Sequence, residues 1–257
     1  MKLLIVDGSN IVMRCAFGGE LPPTPSINTA TNMISRVARE HACTHLVVAL
    51  DCPGQPSWRK ERYADYKANR TRDTSAWLIA AHRTWSEREW WVEAVNGFEA
   101  DDVIATVAVR AAKAGHEVLV LSGDSDVLPL LAEGVAVLKP INGGKFVAMT
   151  AADVCTHYGV AGVPLLVDLK SLTGETGDNV PGVAGIGPVR AQKLLAAHGH
   201  AEGVIAAGQA RRCKYSTLVA AAADTVRLAR ELVTLRMDVP VVPIQPSGCT
   251  LPVEMLL

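Results

Sequence analysis

Three short apolar runs, residues 3–6, 46–50 and 118–121, each run into a carboxylate within three residues: Asp7, Asp51 and Asp124. Continuous apolar runs of this length, bounded by turn residues, read as strands buried on both faces, the habit of parallel sheets. Between them lies helical spacing, as in Met33, Ile34, Val37 and Ala38 of an expected helix over 29–40. Alternation of strand and helix predicts an α/β chain with a central, mainly parallel sheet flanked by helices. Residues following the strands then gather at the sheet's carboxyl edge, where ligands bind.

The same reading places helices over 75–89 and from Asp101 to about residue 114, and strands over 91–95 and 135–138. A further helix is expected to start at Gly123-Asp124-Ser125-Asp126. From about residue 151 the pattern becomes helices joined by Gly/Pro-rich turns. This predicts an α/β core over 1–160 and a helical subdomain over 161–257, with an extended tail from Val239 on the surface. Trp77, Trp85, Trp90 and Trp91 are assigned to core packing.

Nine carboxylates form five groups: Asp7, Asp51, Glu99-Asp101-Asp102, Asp124-Asp126 and Glu175-Asp178. A lone Asp after a strand usually caps a helix. Three acids within four residues exceed what a cap or a helix dipole needs. Like charges brought to one sheet edge call for a cation. Carboxylates without His or Cys favour Mg²⁺ or Mn²⁺ over zinc. The surplus suits two ions roughly 3.5–4 Å apart, an arrangement for in-line phosphodiester hydrolysis.

The net charge of −1 conceals a segregation. Setting the nine grouped acids aside leaves +8 on the rest of the chain. Around Trp58–Arg72, six cations (Arg59, Lys60, Arg62, Lys67, Arg70, Arg72) face only Glu61 and Asp65, with Tyr63 and Tyr66 interleaved. A solvated helical face and a single-strand binding surface both fit that pattern. Gly182-Val183-Ala184-Gly185-Ile186-Gly187 before a helix bearing Arg190 and Lys193 suits sequence-independent contact with a DNA backbone. The six cysteines show no C-x-x-C pair, so reduced thiols are expected. Four apolar residues after Met1-Lys2 are too few for a signal-peptide core, and no run has membrane-spanning length, so a cytoplasmic protein without membrane contact is expected.

In order along the chain, LLIVDGSNIVMR, VVALD, YADYKANR, GFEADDVIATVA, LSGDSDVLPLL, LKSLTGETGDNVPGVAGIGPVRAQKLL and LARELVTLRMDV resemble the 5′-nuclease (flap endonuclease) family. That family includes the 5′→3′ exonuclease domain of bacterial DNA polymerase I and the phage 5′ nucleases. The resemblance implies a stand-alone, monomeric two-metal flap endonuclease and 5′→3′ exonuclease, acting in primer and flap removal during replication and repair. Its substrates would be branched or flapped DNA with 5′ single-stranded ends, and a polymerase or other replication protein its partner.

Carried over by motif, Asp7, Asp51, Glu99, Asp101, Asp102, Asp124, Asp126, Glu175 and Asp178 would hold two or more ions. Glu175 stands where the family usually has Asp, and Leu50 where Phe is commoner. Lys67 and Arg70 would contact the scissile phosphate at the base of a helical arch around residues 70–90. Tyr66 would stack on a base, and Arg14 would lie near the active site. Residues 170–200 would form a helix–three-turn–helix element holding duplex through Gly185, Gly187, Arg190 and Lys193, with K⁺ bound there. Asp7 and Asp124 would be central to catalysis. Two other readings are weaker. A non-catalytic branched-DNA binder predicts lost acids, and a phosphatase with Asp7 as nucleophile predicts a second Asp where Ser9 stands.

Overall fold

Strand β1 (Lys2–Asp7) passes directly into α1 (Gly8–Gly18) and α2 (Pro23–Glu40) in the computed structural model, which describes residues 1–211, 213–242 and 249–251. There follow β2 (His45–Ala49), α3 (Trp58–Arg62), α4 (Ser75–Ser86), β3 (Trp91–Glu93), α5 (Ala100–Lys113), β4 (Glu117–Leu121), β5 (Ala136–Pro140) and β6 (Phe146–Met149). The remaining helices are α6 (Ala151–Tyr158), α7 (Leu165–Thr173), α8 (Pro188–His198), α9 (Ala201–Gln209), α10 (Lys214–Ala221) and α11 (Ala223–Val233).

The chain folds as two units. One contains Met1–Trp58, Arg72–Met149 and the segment from Arg236, and holds the sheet. Its strand order is β3-β2-β1-β4-β5-β6, parallel except for the last pair. Period-two alternation explains its layers. Leu4, Val6, Leu46, Val48, Leu119 and Leu121 share one buried cluster with residues of α1, α2 and α4. Helix α5 packs against β1, β2 and β4. Trp85 and Trp90 are buried and stacked, as expected of core residues.

Several local expectations differ. Helix α2 begins at Pro23 rather than near residue 29, since prolines are tolerated in a first turn whose N–H groups lack helical partners. No α-helix starts at Asp124. Asp126 N–H donates to Asp124 Oδ1 (3.0 Å), which holds a turn, and only a 3₁₀ helix, Leu128–Glu133, follows. The antiparallel β6 carried no signal beyond its short length. Val239, Val241, Cys249 and Leu251 are buried, so these parts of the tail are core rather than surface. Leu46 N–H donates to Cys249 O (2.8 Å). The rest of the tail lies outside the described residues.

The other unit contains Arg59–Thr71 and Thr150–Leu235, and is helical. The basic segment 59–71 was expected in the core of 1–160; it is grouped with the helices because its side chains bond there. Arg59 is buried and donates to Leu232 O (2.6 Å) and Thr234 O (3.2 Å), carbonyls at the end of α11. Arg62 grips both oxygens of Glu231 (2.9 and 3.1 Å). Much of that apparent DNA-binding charge is therefore structural. No described helix is long and apolar enough to cross a membrane.

Candidate active site

In the sheet unit, Asp7 ends β1 and caps α1: Asn10 N–H donates to its Oδ1 (2.9 Å), and the Ser122 hydroxyl donates to its Oδ2 (2.5 Å). Ser122 follows β4, and its Oγ accepts from Asp124 N–H (3.0 Å). The neighbouring strand joins the same network, because Asp51 N–H donates to Ser9 Oγ (2.9 Å) and Asp51 Oδ1 accepts from Ala100 N–H (2.8 Å). Adjacent parallel strands thus bring Asp7, Asp51, Asp124 and the start of α5 to one edge. Glu99 accepts from Ser57 Oγ (3.3 Å), and Asp101, Asp124 and Asp126 are half-buried.

Asp7 is only 3% exposed. Burial pushes its carboxyl up to about 7, against the hydrogen bonds from Ser122 and Asn10, and the charges of Asp51 and Asp124 push it the same way.

Ser9, Asn10, Ser122 and Gly123 were not singled out from sequence, although DGSN and SGDSD contain them. Gly123 N–H donates to Asn10 Oδ1 (3.0 Å), and a Cβ at Gly123 would come within 2.7 Å of that oxygen. A side chain at Gly123 would displace the Asn10 amide and break this link between the end of β4 and α1.

Asp102 is set apart from the other acids. It is fully buried, accepting from Trp58 Nε1–H (2.9 Å) and from Arg236 N–H (2.8 Å). Arg236 also lies over the Trp58 ring, 5.4 Å from its centroid. Asp102 ties the tail segment to α5. We expect Asp102→Ala, which strands two donors, to cost about 2–4 kcal/mol in a denaturant melt; a loss below 1 kcal/mol would remove this tethering role.

The remaining two expected ligands lie in the helical unit, each already facing cations. Glu175 pairs with Lys170 at 3.0 Å. Asp178 accepts from Tyr66 Oη (3.0 Å), pairs with Lys67 at 3.6 Å, and is bonded by Arg70. Burial works to raise its pKa, but Lys67 and Arg70 prevail and hold it below the usual carboxylate range, aided by the hydrogen bonds from Tyr66 and Arg70. Tyr66, 4% exposed, packs with Val180, Ala229 and Leu232. That corrects the expectation of a stacking surface: its ring is spent on the core.

Gly185, Gly187, Arg190 and Lys193 are all exposed, whereas Val183, Ile186, Ala191, Leu194 and Leu195 are buried. The turn before α8 thus faces solvent with its glycines and cations. Gly185 has φ +80°, which L side chains rarely adopt. Arg190 donates to Gly185 O (2.6 Å) and lies over the Tyr215 ring, 4.6 Å from its centroid. Arg14 is exposed on α1.

Among the described residues, no three His, Cys, Asp or Glu side chains are placed to hold a metal ion as they stand. The donor chemistry of the sheet edge nevertheless fits a hard cation: it is all carboxylate, and Asp7 bears the repulsion of Asp51 and Asp124.

Comparison with known proteins agrees with this layout. The family model for the 5′-3′ exonuclease N-terminal resolvase-like domain matches residues 2–159, and that for the 5′-3′ exonuclease C-terminal SAM fold matches 163–252. DNA polymerase I of Mycobacterium leprae (strain TN) is 32% identical over 255 residues, covering 93% of this chain and 27% of that protein. The chain thus spans about a quarter of the length of the curated relatives it matches. A structure of T5 5′-exonuclease with divalent metal ions (zinc) bound superposes with TM-score 0.78 at 23% identity, over 91% of this chain and 89% of that one. The bacteriophage T5 flap endonuclease in a pseudo-enzyme-product complex with DNA and metal ions gives TM-score 0.74 at 24% identity, over 91% and 89%. With both family models matched in order along its length, this chain belongs to the 5′-3′ exonuclease family.

Proposed function

We propose that this protein is a divalent-metal-dependent 5′ nuclease, cutting flapped or branched DNA as an endonuclease and 5′→3′ exonuclease in primer and flap removal. The observation that carries the reading is the buried Asp7, bonded to Ser122 and pressed by Asp51 and Asp124 at the end of a parallel sheet. A cation beside a carboxylate in that position would stabilise its ionised form against burial and the neighbouring charges. The T5 relative bound to DNA and metal ions supports the same assignment.

Asp7, Asp51, Glu99, Asp101, Asp124 and Asp126 would hold Mg²⁺ or Mn²⁺. When bound, these ions supply Lewis acidity toward the phosphodiester and its attacking water. The chain itself orients the ligands: Ser122 links Asp7 to the turn of Asp124, and α5 positions Asp51 through Ala100. Asp102 serves as the tether. Glu175 and Asp178 would reach a metal only by exchanging Lys170, Lys67 or Arg70 for it. In the present arrangement Asp178 holds Lys67 and Arg70, the proposed contacts to the scissile phosphate.

Duplex DNA would lie against Gly185, Gly187, Arg190 and Lys193, which offer backbone approach and charge without reading bases. A monovalent cation such as K⁺ belongs to this turn in the same reading. Arg14 would add charge beside the sheet edge. The enzyme would be a cytoplasmic monomer that meets a polymerase or other replication proteins on DNA.

The test is a labelled 5′-flap duplex incubated with Mg²⁺, with Mn²⁺ and with chelator. Metal-dependent release of the flap is expected; equal cutting with chelator would sink the mechanism, and binding without cutting in any metal would leave a branched-DNA binder. Lys193→Ala should weaken binding of all sequences alike and make the slope of log K against log salt shallower by about 0.9. An unchanged slope would remove Lys193 from the DNA face.

A further inference from the structure

Residues 64–69 of the helical unit, which carry Lys67 and lead to Arg70, are turns rather than helix or strand. Local bonds such as Ala68 N–H to Asp65 O (3.0 Å) and Arg70 N–H to Lys67 O (3.0 Å) shape these turns but leave their direction open. Direction comes from the distant segment 175–179 of the same unit. Lys67 N–H donates to Asp178 O (2.9 Å). Two amides then cross in opposite senses: Asn69 Nδ2–H donates to Thr176 O (3.0 Å), and Asn179 Nδ2–H donates to Asp65 O (2.8 Å). The backbone is strained where they meet, with φ +53° at Lys67 and +55° at Asn179. Asparagine enters this left-handed region readily, whereas lysine does so rarely. Such a conformation persists where the surrounding contacts over-determine it, and here those contacts are the crossing bonds. Both asparagines are exposed, and Tyr66 already anchors the turn to a core. What the amides add is direction.

The Asp178 carboxylate shows what the turn presents. Arg70 bonds its Oδ1, and Lys67 lies 3.6 Å from its Oδ2. Two cations thus address two oxygens of one anionic group, as they would the non-bridging oxygens of a phosphodiester. We propose that Asn69 and Asn179 are positioning residues: their crossed amide bonds aim the turn so that Lys67 and Arg70 grip one phosphate together. The clamp uses only the backbone carbonyls of Asp65, Thr176 and Asp178, so it persists when a phosphate replaces the Asp178 carboxylate. Without the amides, Lys67 and Arg70 keep their charge but lose their common target. The loss falls on the rate, because the charge of the transition state needs both cations aimed at once. Attraction to DNA, spread over many phosphates, changes little. This inference rests on the nuclease reading above and adds to it the device that aligns its phosphate contacts.

The experiment compares the full-length protein with Asn69→Ala and Asn179→Gly. Glycine accepts φ +55°, so the second change removes the amide and keeps the turn. On a 5′-flap duplex under saturating enzyme, each variant should cut about tenfold more slowly in a single turnover. DNA affinity should stay within about twofold, and melting temperature within about 3 °C of the parent protein. In a Lys67→Ala background, where the pair is already broken, the same substitutions should cost less than about twofold, because they act through that pair. Equal proportional losses in both backgrounds, or a fall in melting temperature with cutting unchanged, would overturn the assignment. If the parent protein cuts no substrate, the nuclease reading fails by itself. Inorganic phosphate titrated onto ¹⁵N-labelled protein then judges the clamp. The Lys67 amide and Arg70 Nε signals should shift along one binding curve in the parent protein, and Asn179→Gly should weaken that binding about fivefold. Identical curves in the two proteins, or no shift in the parent, overturn it.

Discussion

Replacing Asp124 by Asn should lower single-turnover cleavage of a 5′-flap duplex by on the order of 10²–10³-fold, the size of loss that follows removal of one preorganised electrostatic partner. The substitution keeps an amide oxygen where Asp124 Oδ1 accepts Asp126 N–H, so the turn survives. The charge beside Asp7 is withdrawn. DNA affinity should stay within about threefold, because no phosphate contact has been removed. The cleavage rate is read on labelled flap under enzyme excess, and binding by anisotropy in chelator. A rate within a few-fold of the parent protein would take Asp124 out of the metal set. Equal loss of rate and affinity would point to a damaged fold.

Chelated protein should become less stable as pH rises from about 4 to about 7. The sign follows from Asp7, whose carboxyl is raised to about 7 in the folded chain from an ordinary 3.8. Between those values the folded state binds more protons than the unfolded one. Stability is therefore full below the ordinary value and lost as pH passes the folded one. Three units correspond to at most about 4 kcal/mol, or roughly 8–16 °C in melting temperature for a chain of this size. Asp7→Asn should flatten this slope and stabilise the chelated protein at pH 8, while abolishing cleavage. Adding Mg²⁺ to the parent protein should restore the lost stability. A chelated melting temperature that is flat or rises from pH 5 to 8 would show that Asp7 ionises without penalty.

The contrast between Asp124 and Asp102 marks the limit of what residue spacing reveals. Both are acids close behind a strand or at a helix start, and both match a family motif. Placement at the sheet edge was legible for Asp7, Asp51 and Asp124, because period-two burial and parallel pairing force residues after adjacent strands to one side. Nothing local distinguishes Asp102, whose partners Trp58 and Arg236 are 44 and 134 positions away. The serine between Asp7 and Asp124 was hidden for a related reason: Ser122 earns its role from a contact to a residue 115 positions earlier. The run of cations at 59–70 misled in the opposite direction. Its charge suggested DNA, but Arg59 and Arg62 serve the end of α11, and Tyr66 closes a small core.

The sequence by itself determined the alternation of strands and helices, the acids at strand ends and the glycine turn before α8, because each depends on periodicity or on backbone limits that act over a few residues. The tertiary structure decided which acids repel one another, which are consumed as tethers, and which cations remain for a phosphate. Those outcomes depend on burial and on partners brought together from distant parts of the chain. Charge is written in the sequence, but the solvation and pairing that give it a chemical role exist only once the chain has folded.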